Sequence, residues 1–189
     1  PGDVVQVLLD HEPYDSTIQP EDIPLDIVYE DADLMVINKP AGLVVHPGHG
    51  NYEHTLLNGL AYYFGQQGNG LDINNPNIGL VHRIDKDTSG LLIVAKNDFA
   101  HRGLAEQIKV HSFTRQYETI VVGCPRDEAG TVNAPIARNP NDRKKMAVVN
   151  GGREAISHYE LLAKYQGFSH LRMTLETGRT HQIRVHMAY

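Results

Sequence analysis

Apolar and polar positions change period along this chain, and the changes mark its elements. Between Ile27 and Pro40 two short apolar runs flank Glu30-Asp31-Ala32-Asp33. That pattern predicts a hairpin ending at Asn38-Lys39-Pro40-Ala41-Gly42, where Pro40 and Gly42 leave little room for further pairing. Over Thr55 to Phe64, Leu56, Leu57, Leu60 and Tyr63 recur at helical spacing behind Thr55, a plausible N-cap. Gly65 to Pro76 is rich in Gly, Gln and Asn and predicts a mobile loop. Leu91-Leu92-Ile93-Val94-Ala95 is an apolar run opened by Gly90, the pattern of a buried strand. Asp98 is placed to cap a second helix over Phe99 to Lys109. Arg115 to Val122 returns to strand, with Tyr117 on the face opposite Gln116 and Glu118. Glu154 to Leu162 and Ser169 to Thr177 alternate with period 2, turning Leu171, Met173 and Leu175 inward, and fit an antiparallel pair. Gly178 breaks the second strand, and Thr180 is placed to cap a last helix, HQIRVHM, still running at Tyr189. Strands in runs, with two or three helices and no regular alternation, predict an α+β fold around a mixed, mainly antiparallel sheet.

Composition narrows the class. With 41% hydrophobic and 21% charged residues the chain is ordinary globular material, long enough at 189 residues for a substantial core. No apolar run approaches the roughly 18 residues of a bilayer span, and no basic, apolar leader opens the chain, so a soluble cytoplasmic protein is expected. The single Cys124 has no internal partner and is expected as a small, buried, reduced hydrophobe. A net charge of −6 argues at first sight against a nucleic-acid partner, but residues 1–40 carry −9 and residues 101–189 carry +5. Arg138, Arg143, Lys144 and Lys145 concentrate part of that excess in a Pro/Asn-rich loop able to track a phosphate backbone or simply to face solvent.

The densest chemistry lies in GLVHRIDKDTSGLLIVAK, residues 79–96, where His82, Arg83, Asp85, Lys86, Asp87, Thr88 and Ser89 feed the apolar run. A charged loop entering a buried strand is a site geometry, although Asp87-Thr88-Ser89-Gly90 is also ordinary turn material. HRIDKDTSGLLIVAK resembles the active-site segment of the pseudouridine synthases of the ribosomal large-subunit type. PLDIVYEDADLMVINKPAGLVVHPG (residues 24–48) and LETGRTHQIRVHM (residues 175–187) resemble the same family in the same order.

The resemblance implies a pseudouridine synthase fold and an isomerase that breaks a uridine's glycosidic bond, turns the base over and rejoins the sugar to a ring carbon, with no cofactor and no metal. It implies Asp85 as the carboxylate that attacks or stabilises the sugar centre, a role shared with retaining glycosidases. Asp87 could form a carboxylate pair with it, but is preferred as a turn residue. Arg184 of HQIR is implied as the cation beside Asp85, with Arg179 of TGR the second choice and otherwise an RNA contact or a residue that holds the turn. Tyr117 of RQYETIV matches the family's tyrosine, as a base, a relay or a stacking face for uracil. Arg83 suits the gap left by an extruded base, because a guanidinium stacks and binds phosphate together. His82 is either a phosphate contact or a structural histidine.

The resemblance also implies a partner: 23S ribosomal RNA, at a stem-loop of the subunit interface, bound by a monomer. Residues 1–9 are expected to be the last strand of a small N-terminal RNA-binding domain, 10–23 a linker, and 24–189 a catalytic domain cut short at its C-terminus. Competing readings are a synthase for transfer RNA, a catalysis-free RNA-binding module, and a metallohydrolase using His181 and His186. The last is weakened because residues five apart diverge on either a strand or a helix.

Overall fold

A computed structural model describes residues 17–48, 50–67 and 79–189. The chain divides into two compact units, Pro1–Arg102 and Gly103–Tyr189. The expected strand over residues 1–9, half of the linker (residues 10–16) and most of the Gly/Gln/Asn-rich loop lie outside the described residues.

In the first unit, β1 (Ile27–Glu30), β2 (Leu34–Lys39), β3 (Gly79–Leu80) and β4 (Gly90–Ala95) form one sheet in the order β1-β2-β4-β3, antiparallel at every pairing. The β1–β2 hairpin forms as its pattern predicts, and Asp31 is its pin. One carboxylate oxygen of Asp31 accepts the N–H groups of Asp33 and Leu34, both at 2.8 Å, and these bonds hold its pKa below the usual range. Across β2 and β4 the register sets Met35 against Val94 and Ile37 against Leu92, four side chains of one face, all buried. On the opposite face of β4, Leu91 departs from the expected buried strand at 62% exposed, while Ala95 is fully buried. A five-residue apolar run cannot distinguish one covered face from two.

Helix α1 (Leu56–Gln67) buries Leu56, Leu60 and Phe64 and absorbs Gly65–Gln67, which composition alone had assigned to loop. Burial of each large side chain contributes about 1.5–3 kcal/mol. Its first turn is closed by Asn58, whose Oδ1 accepts the Thr55 N–H at 3.0 Å and the Thr55 hydroxyl at 2.5 Å. Helix α2 (Asp98–Lys109) is capped by Asn97 and not by Asp98: Asn97 Oδ1 accepts the Ala100 N–H at 2.8 Å. Both residue types cap well, and the backbone enters the helix one residue earlier than its apolar spacing suggests.

In the second unit, β5 (Arg115–Val122), β6 (Ala129–Asn133), β9 (Ile156–Tyr165) and β10 (Phe168–Leu175) form an antiparallel sheet in the order β5-β10-β9-β6. β9 and β10 make the antiparallel pair the alternation predicts, with Leu171 and Met173 fully buried and Leu175 nearly so. A separate hairpin, β7 (Ile136–Arg138) and β8 (Met146–Val148), carries the basic loop. The short strands β6, β7 and β8 leave too few residues for a period to be counted.

Helix α3 (Gln182–His186) ends before the final residues instead of running through Tyr189. Its N-cap is His181, held left-handed at φ 57° with no side-chain cap, so Thr180 does not serve. Cys124 is exposed rather than buried, because it follows Gly123 in the turn that leaves β5. Among the described residues no helix is long and apolar enough to cross a membrane.

Candidate active site

Strand β3 stops at Leu80, yet the N–H of Ile93 farther along β4 still has an acceptor: His82 Nε2, at 3.0 Å. The imidazole extends the ladder where the backbone leaves it, which puts the ring proton on Nδ1. His82 therefore has a structural bond at one nitrogen. The chain then turns over Asp85–Thr88, with the Thr88 N–H donating to the Asp85 carbonyl at 3.2 Å and Lys86-Asp87 at the bend. Asp87 is thus an exposed turn residue, Arg83 is exposed, and Asp85 is half-buried.

Beneath this turn stands a residue that sequence reading did not select. Lys39 is 0% exposed, and its ammonium donates to the carbonyls of Pro40 at 2.7 Å, Leu43 at 2.9 Å and Lys86 at 2.9 Å. Its three N–H groups match three acceptors, so a buried charge is tolerated that would otherwise be prohibitive. Burial pulls its pKa down, against the Asp87 and Asp85 carboxylates, which favour the charged form. The Lys86 carbonyl also accepts the Gly42 N–H at 2.9 Å, at a left-handed glycine of φ 89°. The NKPAG turn and the Asp85 turn are therefore tied at one carbonyl. A signal for Lys39 existed in the sequence: it continues Met35 and Ile37 on the inward positions of β2.

In the second unit Tyr117 pairs with Met173 across β5 and β10 and lies on the half-buried face of β5. Arg184 is on α3, whose position is set by Gln182. The amide of Gln182 accepts from the Thr177 hydroxyl at 2.9 Å and the Arg179 N–H at 3.0 Å. It also donates to the Ile156 carbonyl and to Ser157 Oγ, both at 3.0 Å. This buried glutamine went unnoticed because a polar residue inside a basic motif reads as surface. His186 engages Ser157 Oγ at 2.9 Å and the Ala134 carbonyl at 3.0 Å, so both its ring nitrogens serve the fold.

Arg184, His181, Lys144, Lys145, Met146 and Val148 line one groove of about 470 Å³. The hairpin loop and the third motif, separate in sequence, are thereby brought together. Within the loop, Arg138 donates to the Arg143 carbonyl at 3.0 Å and Lys145 pairs with Asp142 at 3.2 Å, while Arg143 and Lys144 are exposed. Arg179 Nε donates to the Glu154 carbonyl at 2.7 Å.

These elements are those of a known group of proteins. The RNA pseudouridylate synthase family matches residues 33–189, a span that contains Asp85, Tyr117 and Arg184. The chain belongs to this family. It is 52% identical over 173 residues to the ribosomal large subunit pseudouridine synthase D of Zymomonas mobilis, spanning 90% of this chain and 54% of that protein. It is 47% identical over 189 residues to the uncharacterized RNA pseudouridine synthase YlyB of Bacillus subtilis, spanning 100% of this chain and 61% of that one. The chain thus covers little more than half the length of these curated relatives. Among solved structures, human RNA pseudouridylate synthase domain containing 4 superposes with a TM-score of 0.66 at 27% identity, over 86% of this chain and 63% of that one. Human RNA pseudouridylate synthase domain containing 1 gives 0.68 over 93% of this chain and 66% of that one, and at 24% identity speaks to the fold alone. The α+β expectation and the family resemblance both stand.

Proposed function

We propose that residues 24–189 form the catalytic domain of an RNA pseudouridine synthase acting on 23S ribosomal RNA. The observation that carries this is the family match across residues 33–189, which takes in all three candidate catalytic residues. Large-subunit RNA as substrate is supported by relatives such as synthase D of Zymomonas mobilis, and a stem-loop at the subunit interface is the specific target proposed.

Asp85 acts on the sugar carbon as the bond to the uracil nitrogen breaks. The base turns over, its C5 bonds to that carbon, and the C5 proton leaves to solvent while the freed nitrogen takes one up. Atoms and electrons balance without a redox partner. Arg184 is assigned as the cation that supports the Asp85 carboxylate in the reaction. Tyr117 offers uracil a stacking face, Arg83 fills the gap of the extruded base, and Arg143 and Lys144 follow the phosphates.

The test is tritium release from 23S RNA transcribed with carbon-5-tritiated uridine. Wild type releases label, and Asp85→Asn lowers the rate about ten-thousandfold or more with RNA binding kept, as loss of a nucleophile does. Release at the wild-type rate by Asp85→Asn sinks the assignment. Retained RNA binding with no release by wild type favours the binding module instead.

A further inference from the structure

At one end of the β5-β10-β9-β6 sheet the fold gathers three arginines that the reaction leaves unused or only loosely assigned. Leu175, the last residue of β10, pairs with Arg115 on β5 and with Ser157 on β9, so the start of β5, the end of β10 and the start of β9 meet there. Arg115 Nη2 donates to the Glu176 carbonyl at 2.5 Å and lies 3.0 Å from His111 Nδ1. Its Nη1 lies so close to Gly178 that a Cβ added to that glycine would meet it at 2.9 Å. Arg179 follows directly and is anchored through Nε to the Glu154 carbonyl, and exposed Arg153 immediately precedes Glu154.

Two of the anchors are neutral carbonyls, which orient a guanidinium without cancelling its charge. Two acids stand near. The Glu176 carboxylate is engaged by His158 Nε2 at 2.6 Å, and Glu154 is exposed next to Arg153 in the chain. Arg179 feels the crowding: burial lowers its pKa, Arg153 and Arg115 lower it further by like charge, and Glu154 acts against them. Arg115 Nε is buried with no acceptor among the described residues, so this guanidinium is held at a cost. Convergent like charges held by neutral anchors are an arrangement completed by an anion.

We infer that Arg115, Arg153 and Arg179 form a phosphate-binding site that holds one backbone phosphate of the RNA. The planar fork of a guanidinium matches phosphate, and Gly178 leaves the approach without a side chain. This rests on the reading above that RNA is the substrate.

The experiment measures binding of a fluorescein-labelled stem-loop of 23S RNA from the subunit interface, by anisotropy across a salt series. It compares wild type with Arg153→Gln, Arg179→Gln and Arg115→Gln. Each variant is expected to bind about tenfold more weakly at low salt, with the slope of log affinity against log salt reduced by about 0.7 to 0.9. The same stem-loop carrying one uncharged methylphosphonate, moved along the strand, weakens wild type at one position and leaves Arg153→Gln indifferent there. Arg153 is exposed, so its variant keeps the readout clear of any disturbance that Arg115→Gln causes in β5. Unchanged affinity and slope in both Arg153→Gln and Arg179→Gln overturn the site. Tritium release reports separately: its absence in wild type with these binding effects present would remove the isomerase and leave the phosphate site.

Discussion

Lys39 and Arg115 are both cations drawn out of water, one in each unit, and their surroundings differ. Lys39 sits at 0% exposure with three carbonyl acceptors for three N–H groups, while Arg115 keeps a buried Nε–H without one among the described residues. A fully satisfied buried charge acts as a structural fastener, since removing it orphans every carbonyl it holds. An incompletely satisfied one, crowded by like charges, is poised for a ligand. Satisfaction, more than burial, separates the scaffold cation from the binding cation.

Three substitutions probe that contrast, from the largest expected effect to the smallest. Lys39→Met should lower unfolding free energy by about 2–4 kcal/mol, because three buried carbonyls lose their donor. A shift in the urea midpoint reads this, and a cost below about 1 kcal/mol would break the comparison. Glu30→Gln tests a third case, a carboxylate that accepts from Lys96 Nζ and from the Tyr63 hydroxyl, both at 2.7 Å. Burial raises its pKa, but the Lys96 and Tyr63 hydrogen bonds outweigh it, so the folded value lies below the ordinary 4.5. Its stabilisation is present above the unfolded pKa and lost as pH falls through the folded one. Glu30→Gln should therefore cost about 1–2 kcal/mol at pH 7 and flatten the decline in stability on acidification. Arg115→Gln should change stability by less than about 1 kcal/mol, since two hydrogen bonds are lost along with an unsatisfied donor. A loss as large as that of Lys39→Met would make Arg115 a fastener too.

Much of this was legible in the sequence where a period had room to repeat. The β1–β2 hairpin, α1, β5 and the β9–β10 pair follow from alternation or helical spacing. The three-residue strands β7 and β8 do not, and neither does the exposure of Leu91. The turn carrying Asp85 was visible as a concentration of ionisable residues before an apolar run. Its support was not: the Lys86 carbonyl that binds Lys39 is 47 residues away in the chain. Gln182 was hidden for the same reason, since its partners on β9 are 25 and 26 residues back. Local pattern marks where ionisable groups gather, and distant backbone carbonyls decide what holds them.

The burial of Lys39 also makes it chemically silent. An acylating reagent reaches an amine only where solvent does, so the exposed Lys86 of the Asp85 turn is open to it in the native state and Lys39 only through local opening. The two lysines, joined by one hydrogen bond, form a paired clock. The first records exposure to the reagent, and the second records how often the floor beneath Asp85 comes apart.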